Sequence, residues 1–263
     1  MSTPSEQPSS ESTYFIHDSA AELVRVIELE RVLTRSLGGI LPEHPDLSTF
    51  LAPFHRVLDV ACGPGGWALE LAQAYPHLEV MGFDIDPRMI NYATTQAQVG
   101  RLDNASFKVM NAAGPLDYPD NYFDLVNARY LAVVPIKIWP EVMQEIFRIT
   151  RPGGIIRLTE NEEYSITTGL TPLLGRFLRN AGCQNIQRKP FVIDWSAGME
   201  AHDAVFQVLS VFMRLVQPFL IQMGVTTQEE ADRLYREAEI EMLSDDFCAL
   251  WYFLTVWGEK PGS

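Results

Sequence analysis

One stretch limits the folds open to this chain more than any other. Arg56-Val57-Leu58-Asp59-Val60-Ala61 is a short apolar run of strand character, and it enters Cys62-Gly63-Pro64-Gly65-Gly66 without a break. Trp67 to Ala74 then reads as a helix, closed by Tyr75-Pro76. A strand that turns through glycines into a helix is a unit of a parallel sheet, because a crossover helix is what returns the chain to begin the next strand in the same direction. The pattern recurs. Leu78 to Phe83 is a second strand that ends at Asp84, and Asp86-Pro87 opens a helix with Asp86 as N-cap and Pro87 at its first position. Ser106 to Met110, Tyr122 to Ala128 and Ile155 to Thr159 are further strands. Trp139 to Thr150 is a helix, and Arg151-Pro152-Gly153-Gly154 is a turn. This alternation predicts an α/β fold, a parallel sheet covered by helices on both faces.

The flanks differ in texture. Met1 to Thr13 is rich in Ser, Thr, Pro, Glu and Gln and is expected to be a disordered tail. It has neither the basic start nor the apolar stretch of a signal peptide. Ser19 to Leu37 has helical spacing at Leu23, Val26, Ile27 and Leu33, with Gly38-Gly39 as its stop. A loop with Pro42, Pro45 and Pro53 follows. Beyond the fifth strand, Thr171 to Gly182 reads as a helix and Asn185 to Trp195 as a strand. Val205, Val208, Leu209, Phe212, Leu215, Val216, Phe219 and Leu220 make a strong helical stripe. Thr227 and Glu230 form a capping-box pattern for one more helix, and Phe247 to Trp257 closes the chain as a strand. The expected organisation is a tail over 1–13, a helical arm over 14–45, and a domain over 46–263 whose lid helices span about 197 to 246.

Composition removes several function classes. The 34 acidic residues outnumber the 20 basic ones, a formal charge of −14 that repels nucleic acid and anionic lipid. No uninterrupted apolar run reaches the ~18 residues of a membrane span. Cys62, Cys183 and Cys248 are scattered, which offers neither metal spacing nor a disulfide framework and fits a cytoplasmic location. The expected partner is therefore a small molecule, with no metal, no nucleic acid and no membrane. The chain is expected to be a monomer or a homodimer.

The glycine turn points to a ligand. Glycines let a backbone approach a bound group closely, and the helix N-terminus that follows favours an anionic or polar group. Asp84 stands about 20 residues beyond the glycines, at the end of the neighbouring strand, where a carboxylate grips a ribose diol. These features converge on a nucleoside cofactor. Gly63-Pro-Gly65-Gly66-Trp67-Ala68 also fits the dinucleotide pattern G-x-G-x-x-A, so an NAD(P)-dependent oxidoreductase is one alternative.

The segment Val57-Leu-Asp59-Val-Ala-Cys-Gly63-Pro-Gly65-Gly66 resembles motif I of the class I S-adenosylmethionine-dependent methyltransferases, of the small-molecule type. Val80-Met-Gly-Phe-Asp84-Ile-Asp-Pro-Arg-Met89 resembles their second motif. Asn111-Ala112 and Leu116-Asp-Tyr-Pro-Asp-Asn-Tyr-Phe-Asp124-Leu-Val are similar to the third and fourth. Ile149-Thr-Arg-Pro-Gly-Gly154-Ile-Ile matches their turn into strand five, and Trp251-Tyr-Phe-Leu-Thr-Val-Trp257 their last, antiparallel strand. The resemblance implies a Rossmann-like, doubly wound sheet of seven strands with a helical lid. It implies methyl transfer from S-adenosyl-L-methionine to an O, N or C nucleophile of a small molecule. A non-catalytic S-adenosylmethionine-binding protein is the other alternative.

The resemblance also implies roles. Gly63 and Gly65 cradle the methionine part of the cofactor, with Ala61 where many relatives have glycine. Asp59 holds the loop and approaches the amino group, and Asp84 takes the ribose hydroxyls. Ile85 and Met89 flank the adenine, and Asn111 and Ala112 stand at its amino group. Asn127 to Arg129 follow strand four and face the sulfonium and the acceptor. Tyr14 in the arm closes over the cofactor. Displacement at a sulfonium carbon needs positioning more than it needs a base. The catalytic candidates are therefore few: Glu163 in the acidic run Glu160-Asn161-Glu162-Glu163 after strand five, His17 in the arm, and Arg129, which would bind an acceptor carboxylate or the cofactor. His202 and Trp67 read more simply as surface and packing residues, and Cys62 as packing within the loop.

Overall fold

The structure is a computed structural model, and it describes residues 20–131, 134–161 and 169–262. The expected disordered tail, Tyr14, His17, Glu162 and Glu163 lie outside the described residues.

Helix α1 spans Ala20–Leu37, and strand β1 spans Arg56–Val60. They are followed by α3 (Gly66–Ala74), β2 (Glu79–Asp84), α4 (Pro87–Gly100), β3 (Ala105–Val109) and β4 (Phe123–Arg129). Then come α5 (Trp139–Ile149), β5 (Thr150–Asn161), α6 (Thr171–Ala181) and β6 (Gln184–Asp194). Helices α7 (His202–Gln222) and α8 (Gln228–Met242) precede β7 (Leu250–Glu259). Between α1 and β1 lies a short helix, α2, Leu47–Leu51, within the stretch read from sequence as a loop. The prolines around it hid it, but Asp46 caps it by accepting from the Thr49 N–H at 3.0 Å.

The seven strands form one sheet in the order β3-β2-β1-β4-β5-β7-β6. Strands β1 to β5 pair in parallel, and β7 runs antiparallel to both β5 and β6. The strand order reverses between β1 and β4, so the carboxyl ends of β1, β2 and β4 frame the crevice where ligands bind in such sheets. Alternation along the strands divides the core. Leu58, Val126, Ile156 and Leu158 face Trp139, Ile146 and Leu174 of α5 and α6. Val57, Val80 and Leu125 face Trp67 and Leu71 of α3, with Leu51 and Phe54 behind them. Both faces are therefore covered, as the strand–helix alternation predicts.

Two strand ends run further than the apolar pattern marks. Strand β4 runs one residue past the expected Ala128, to Arg129, and β5 runs two past the expected Thr159, to Asn161, so Asn127 to Arg129, Glu160 and Asn161 belong to the strands. The Arg151-Gly154 turn is absorbed into the start of β5 as an irregularity in its pairing with β4. The expected caps hold: Asp86 accepts from Arg88 N–H at 2.8 Å, and Thr227 accepts from Glu230 N–H at 3.2 Å.

Helix α1 is two-faced. Leu29, Val32, Leu33 and Leu37 pack with Val205 and Val208 of α7, Met242 of α8 and Trp251 of β7. Helix α7 is apolar enough, at a mean hydropathy of 1.7, to cross a membrane by length and composition. Here one side of it seats on α1, and only 11% of its most apolar window is buried. An adjoining stripe of α1 carries Val26, Glu30 and Thr34 at helical spacing, and it reaches the glycine loop after β1 and Arg129 at the end of β4.

Candidate active site

The loop after β1 is held in a conformation that side chains resist. Ala61, Gly63 and Gly65 all have positive φ, at 53°, 54° and 80°. A Cβ on Gly65 would stand 2.8 Å from Ala93 Cβ and 2.9 Å from Phe107 Cε1, so α4 and β3 press on this backbone directly. Ala61 occupies the left-handed region without a glycine's freedom, which gives a physical reason for glycine to suit that position. Asp84 fixes the loop from the neighbouring strand. Its Oδ2 accepts from Gly63 N–H at 2.9 Å and its Oδ1 from Asp86 N–H at 2.9 Å. Burial raises its pKa, opposed by those backbone donors. It remains half-buried, with lone pairs left for a ligand hydroxyl.

Asp59 sits lower on β1 in a buried polar row. In register across the sheet stand Asp59, Asn127 and Arg157. Asn127 Nδ2 donates to Asp59 Oδ1 at 2.7 Å, and Arg157 NH1 donates to Asn127 Oδ1 at 2.7 Å. Arg157 also donates to both oxygens of Glu43, at 2.5 and 3.2 Å. Burial pushes the Asp59 carboxyl up to about 6, while Arg129 and the Asn127 bond pull it back. The Asn127 side chain is thus committed to Asp59 and Arg157 and does not project past the strand end toward a ligand.

Helix α1 roofs one side of the loop. Glu30 Oε2 accepts from Gly66 N–H, the first residue of α3, at 2.8 Å. Its other oxygen lies 3.8 Å from Arg129 NH2 and 3.7 Å from where a Gly63 Cβ would be. Val26 Cγ1 approaches the same Gly63 position at 3.4 Å. Burial raises the Glu30 carboxyl to about 8, against the pull of Arg129. Arg129 donates through NH1 to Thr34 Oγ1 at 2.8 Å, and its NH2 has no hydrogen-bond partner among the described residues.

The other residues singled out by sequence divide by placement. Ile85 and Asn111 are exposed beside Asp84, on the open side of the loop, and Asn111 Oδ1 accepts from Ala113 N–H at 2.9 Å. Met89 and Ala112 are buried in the framework behind them. Glu160 is buried, its Oε1 accepting from Leu131 N–H at 2.6 Å, and Asn161 donates to the Tyr130 hydroxyl at 2.8 Å. His202 Nδ1 lies 3.0 Å from the Trp195 carbonyl and Trp67 Nε1 donates to the Ile40 carbonyl, both structural placements. Cys62 is buried, which together with nearby carboxylates raises its thiol pKa well above the usual range and leaves it inert. A cavity of about 460 Å³ bounded by Pro42, His44, Leu47 and Tyr75 includes none of these residues.

Sequence reasoning missed Glu30, Thr34, Glu43 and Arg157. Two of them left a signal. Glu30 interrupts the apolar face that Val26 begins, and Arg157 interrupts the run Ile155-Ile156-Arg157-Leu158. A charge at an inward position is a charge with a partner.

Residues 57–154 match a family model described as a methyltransferase domain. Over this stretch the chain is similar to methyltransferase domains. Relatives agree: over 135 residues the chain is 33% identical to a demethylmenaquinone methyltransferase of Geobacillus kaustophilus, covering 47% of this chain and 56% of that one. It is 30% identical over 151 residues to a phosphoethanolamine N-methyltransferase of Triticum aestivum, covering 56% of this chain and 29% of the relative. The chain thus spans well under two thirds of the length of these curated relatives. Among solved structures it resembles the [4+2]-cyclase SpnF at 19% identity and a TM-score of 0.52, with 94% of this chain and 98% of that one covered. That likeness shows that nearly the whole chain follows a known fold.

Proposed function

We propose that the chain transfers the methyl group of S-adenosylmethionine to a small-molecule acceptor. The observation that carries this reading is the clasp between Asp84 and Gly63. It holds a glycine loop and a half-buried carboxylate together at the carboxyl ends of adjacent strands, at the point where strand order reverses. The residues present fit the cofactor. Gly63 and Gly65 put bare backbone in a tight positive-φ turn, Asp84 would take the ribose hydroxyls, and exposed Ile85 and Asn111 leave room for an adenine on the open side. Relatives that methylate an apolar quinone precursor and a phosphorylated amine share this domain, which supports a small-molecule acceptor.

When bound, S-adenosylmethionine supplies a methyl carbon on a sulfonium, a leaving group that needs no acid. The chain's own part is to position and to exclude water. Asp59, held by Asn127, which Arg157 holds in turn, gives the loop a rigid floor. Asp84 orients the sugar, and α1 screens the loop from solvent. A base is needed only where the accepting atom carries a proton.

The test has two arms. Labelled methyl from S-adenosylmethionine is offered with phenols, amines and carboxylates, and transfer to one class is expected. Calorimetry with S-adenosylhomocysteine is expected to show binding that NAD does not compete for. Asp84→Ala is expected to weaken that binding by about 1–3 kcal/mol, the range for lost charge-assisted hydrogen bonds. Asp84→Asn, which keeps one acceptor for the loop, is expected to lose less. Unchanged affinity in both variants overturns the ribose role.

A further inference from the structure

Tyr130 stands in a conformation that a ring-bearing residue resists. It follows β4 directly and has a φ of 66°, in the left-handed region, where a bulky side chain persists only if its surroundings hold it. Its N–H still donates to the Thr159 carbonyl at 3.0 Å, so the turn redirects the side chain without costing the β4–β5 ladder a bond. Two residues at the end of β5 hold it from both sides. Glu160 Oε1 accepts from Leu131 N–H at 2.6 Å, which fixes the backbone just beyond the turn. Asn161 Nδ2 donates to the Tyr130 hydroxyl at 2.8 Å, which fixes the far end of the side chain. Glu160 and Asn161 are 0% and 4% exposed. Burying a carboxylate and an amide is costly, and here both serve to hold one strained tyrosine that is itself only half-buried. Strain held in this way gathers at sites that meet a ligand. The place agrees: these residues lie at the carboxyl ends of β4 and β5, on the side of β4 away from the glycine loop. Strand β5 is two spacings, about 10 Å, from β1. Phe253, opposite Asn161 on β7, brings its ring to 6.0 Å from that of Tyr130, and Trp251 follows at 6.3 Å from Phe253.

We infer that Tyr130 binds the methyl acceptor: its hydroxyl donates to an oxygen of that molecule, and its ring, together with Phe253, meets an apolar part of it. The inference rests on the proposed methyl-transfer reading and deepens it by naming a substrate class, an apolar compound that carries a hydrogen-bonding oxygen. The direction of the bond follows from Asn161. A phenol oxygen that accepts from an amide N–H keeps its own proton to donate. The accepted bond also polarises the O–H, as successive hydrogen bonds do, and makes it a stronger donor. Asn161 and Glu160 are then positioning residues. They act through Tyr130, Asn161 on its hydroxyl and Glu160 on the backbone that follows it.

The experiment measures three probes by equilibrium dialysis on the full chain saturated with S-adenosylhomocysteine. Naphthalene has no oxygen, 2-methoxynaphthalene has an oxygen that only accepts, and 2-naphthol has a hydroxyl. The unaltered chain is expected to prefer both oxygen-bearing probes to naphthalene by about tenfold, the worth of one hydrogen bond in a desolvated site. Tyr130→Phe keeps the ring and is expected to reduce that preference to about twofold or less, with naphthalene affinity unchanged. Asn161→Ala leaves the hydroxyl in place but unheld, and is expected to lose part of the preference. S-adenosylhomocysteine affinity should be the same in all three chains, which reports that each is folded. The ratio between probes within one chain is a readout that a merely structural role would not move. Should Asn161→Ala lose its fold, Tyr130→Phe decides. An unaltered chain without the preference, or a Tyr130→Phe chain that keeps it, overturns the inference while the cofactor site stands. Full preference in a folded Asn161→Ala chain overturns the positioning role. If S-adenosylhomocysteine does not bind the unaltered chain, the cofactor reading fails and takes the inference with it.

Discussion

Glu43→Ala is expected to lower the stability of this chain by about 3–5 kcal/mol, the cost of leaving one member of a buried ion pair without its partner. The Arg157 and Glu43 side chains are 3% and 0% exposed, and the guanidinium reaches both carboxylate oxygens. Its remaining nitrogen holds Asn127, which holds Asp59. Removing Glu43 therefore strands a charge beneath the sheet and loosens the floor of the site. At roughly 2–4 °C per kcal/mol for a chain of this size class, the midpoint of thermal unfolding should fall by about 6–20 °C. The contrast is Arg56 with Glu79, a single contact at 3.1 Å between side chains 45% and 52% exposed. Solvent screens that pair, so Arg56→Ala should cost at most about 1 kcal/mol. The double change Glu43→Leu with Arg157→Met should restore most of the loss, because apolar side chains of similar size replace a buried pair well. A Glu43→Ala midpoint no lower than that of Arg56→Ala would show that water reaches Arg157 and that the row is not buried in solution.

The ease with which the sequence can be read varies along the site for a physical reason. The glycine loop, the N-cap at Asp86 and the strand–helix alternation are local signals, each contained within a few residues, and all appear in the structure where the sequence puts them. Asp84 was legible because the pitch of a strand–helix–strand unit fixes its distance from the glycines. The polar row was not. Asn127 and Arg157 are buried polar residues in strands, and their partners arrive from a neighbouring strand and from Glu43, over separations of 68, 30 and 114 residues. Glu160 and Asn161 are buried polar residues too, and the apolar pattern stops before them at Thr159, which is why β5 reads as too short at that end. Glu30 is hidden in the same way. Its acceptor role depends on Gly66, 36 residues on, and no periodicity within α1 records it. Helix α1 was expected as an arm, yet the contacts that make it part of the site come entirely from the fold.

Gly65→Ala is the second large effect. A methyl group there would stand 2.8 Å from Ala93 Cβ and 2.9 Å from the Phe107 ring, and neither neighbour is the loose end of a flexible chain. Two costs add. The left-handed φ of 80° costs a non-glycine residue about 1–2 kcal/mol, and forcing a methyl group into packed surroundings costs about 1–3 kcal/mol. The expected loss is therefore about 2–5 kcal/mol in denaturant unfolding. Gly198 separates the two terms, since its φ is 78° but nothing lies within 4 Å of where its Cβ would be. Gly198→Ala should show the backbone cost alone, and the difference between the two variants should measure the crowding. Shaving the ring with Phe107→Ala in the Gly65→Ala background should recover part of that difference, as a double-mutant cycle would reveal. Crowding at Gly65 also has a functional consequence that strain at Gly198 lacks. The loop can relieve it only by moving away from α4 and β3, which breaks the Gly63–Asp84 bond that joins the two halves of the proposed cofactor site. Gly65→Ala should therefore lose S-adenosylhomocysteine binding as well as stability, and Gly198→Ala should lose only stability. Equal stability losses in the two variants would mean that the loop is not clamped between α4 and β3 as the structure shows.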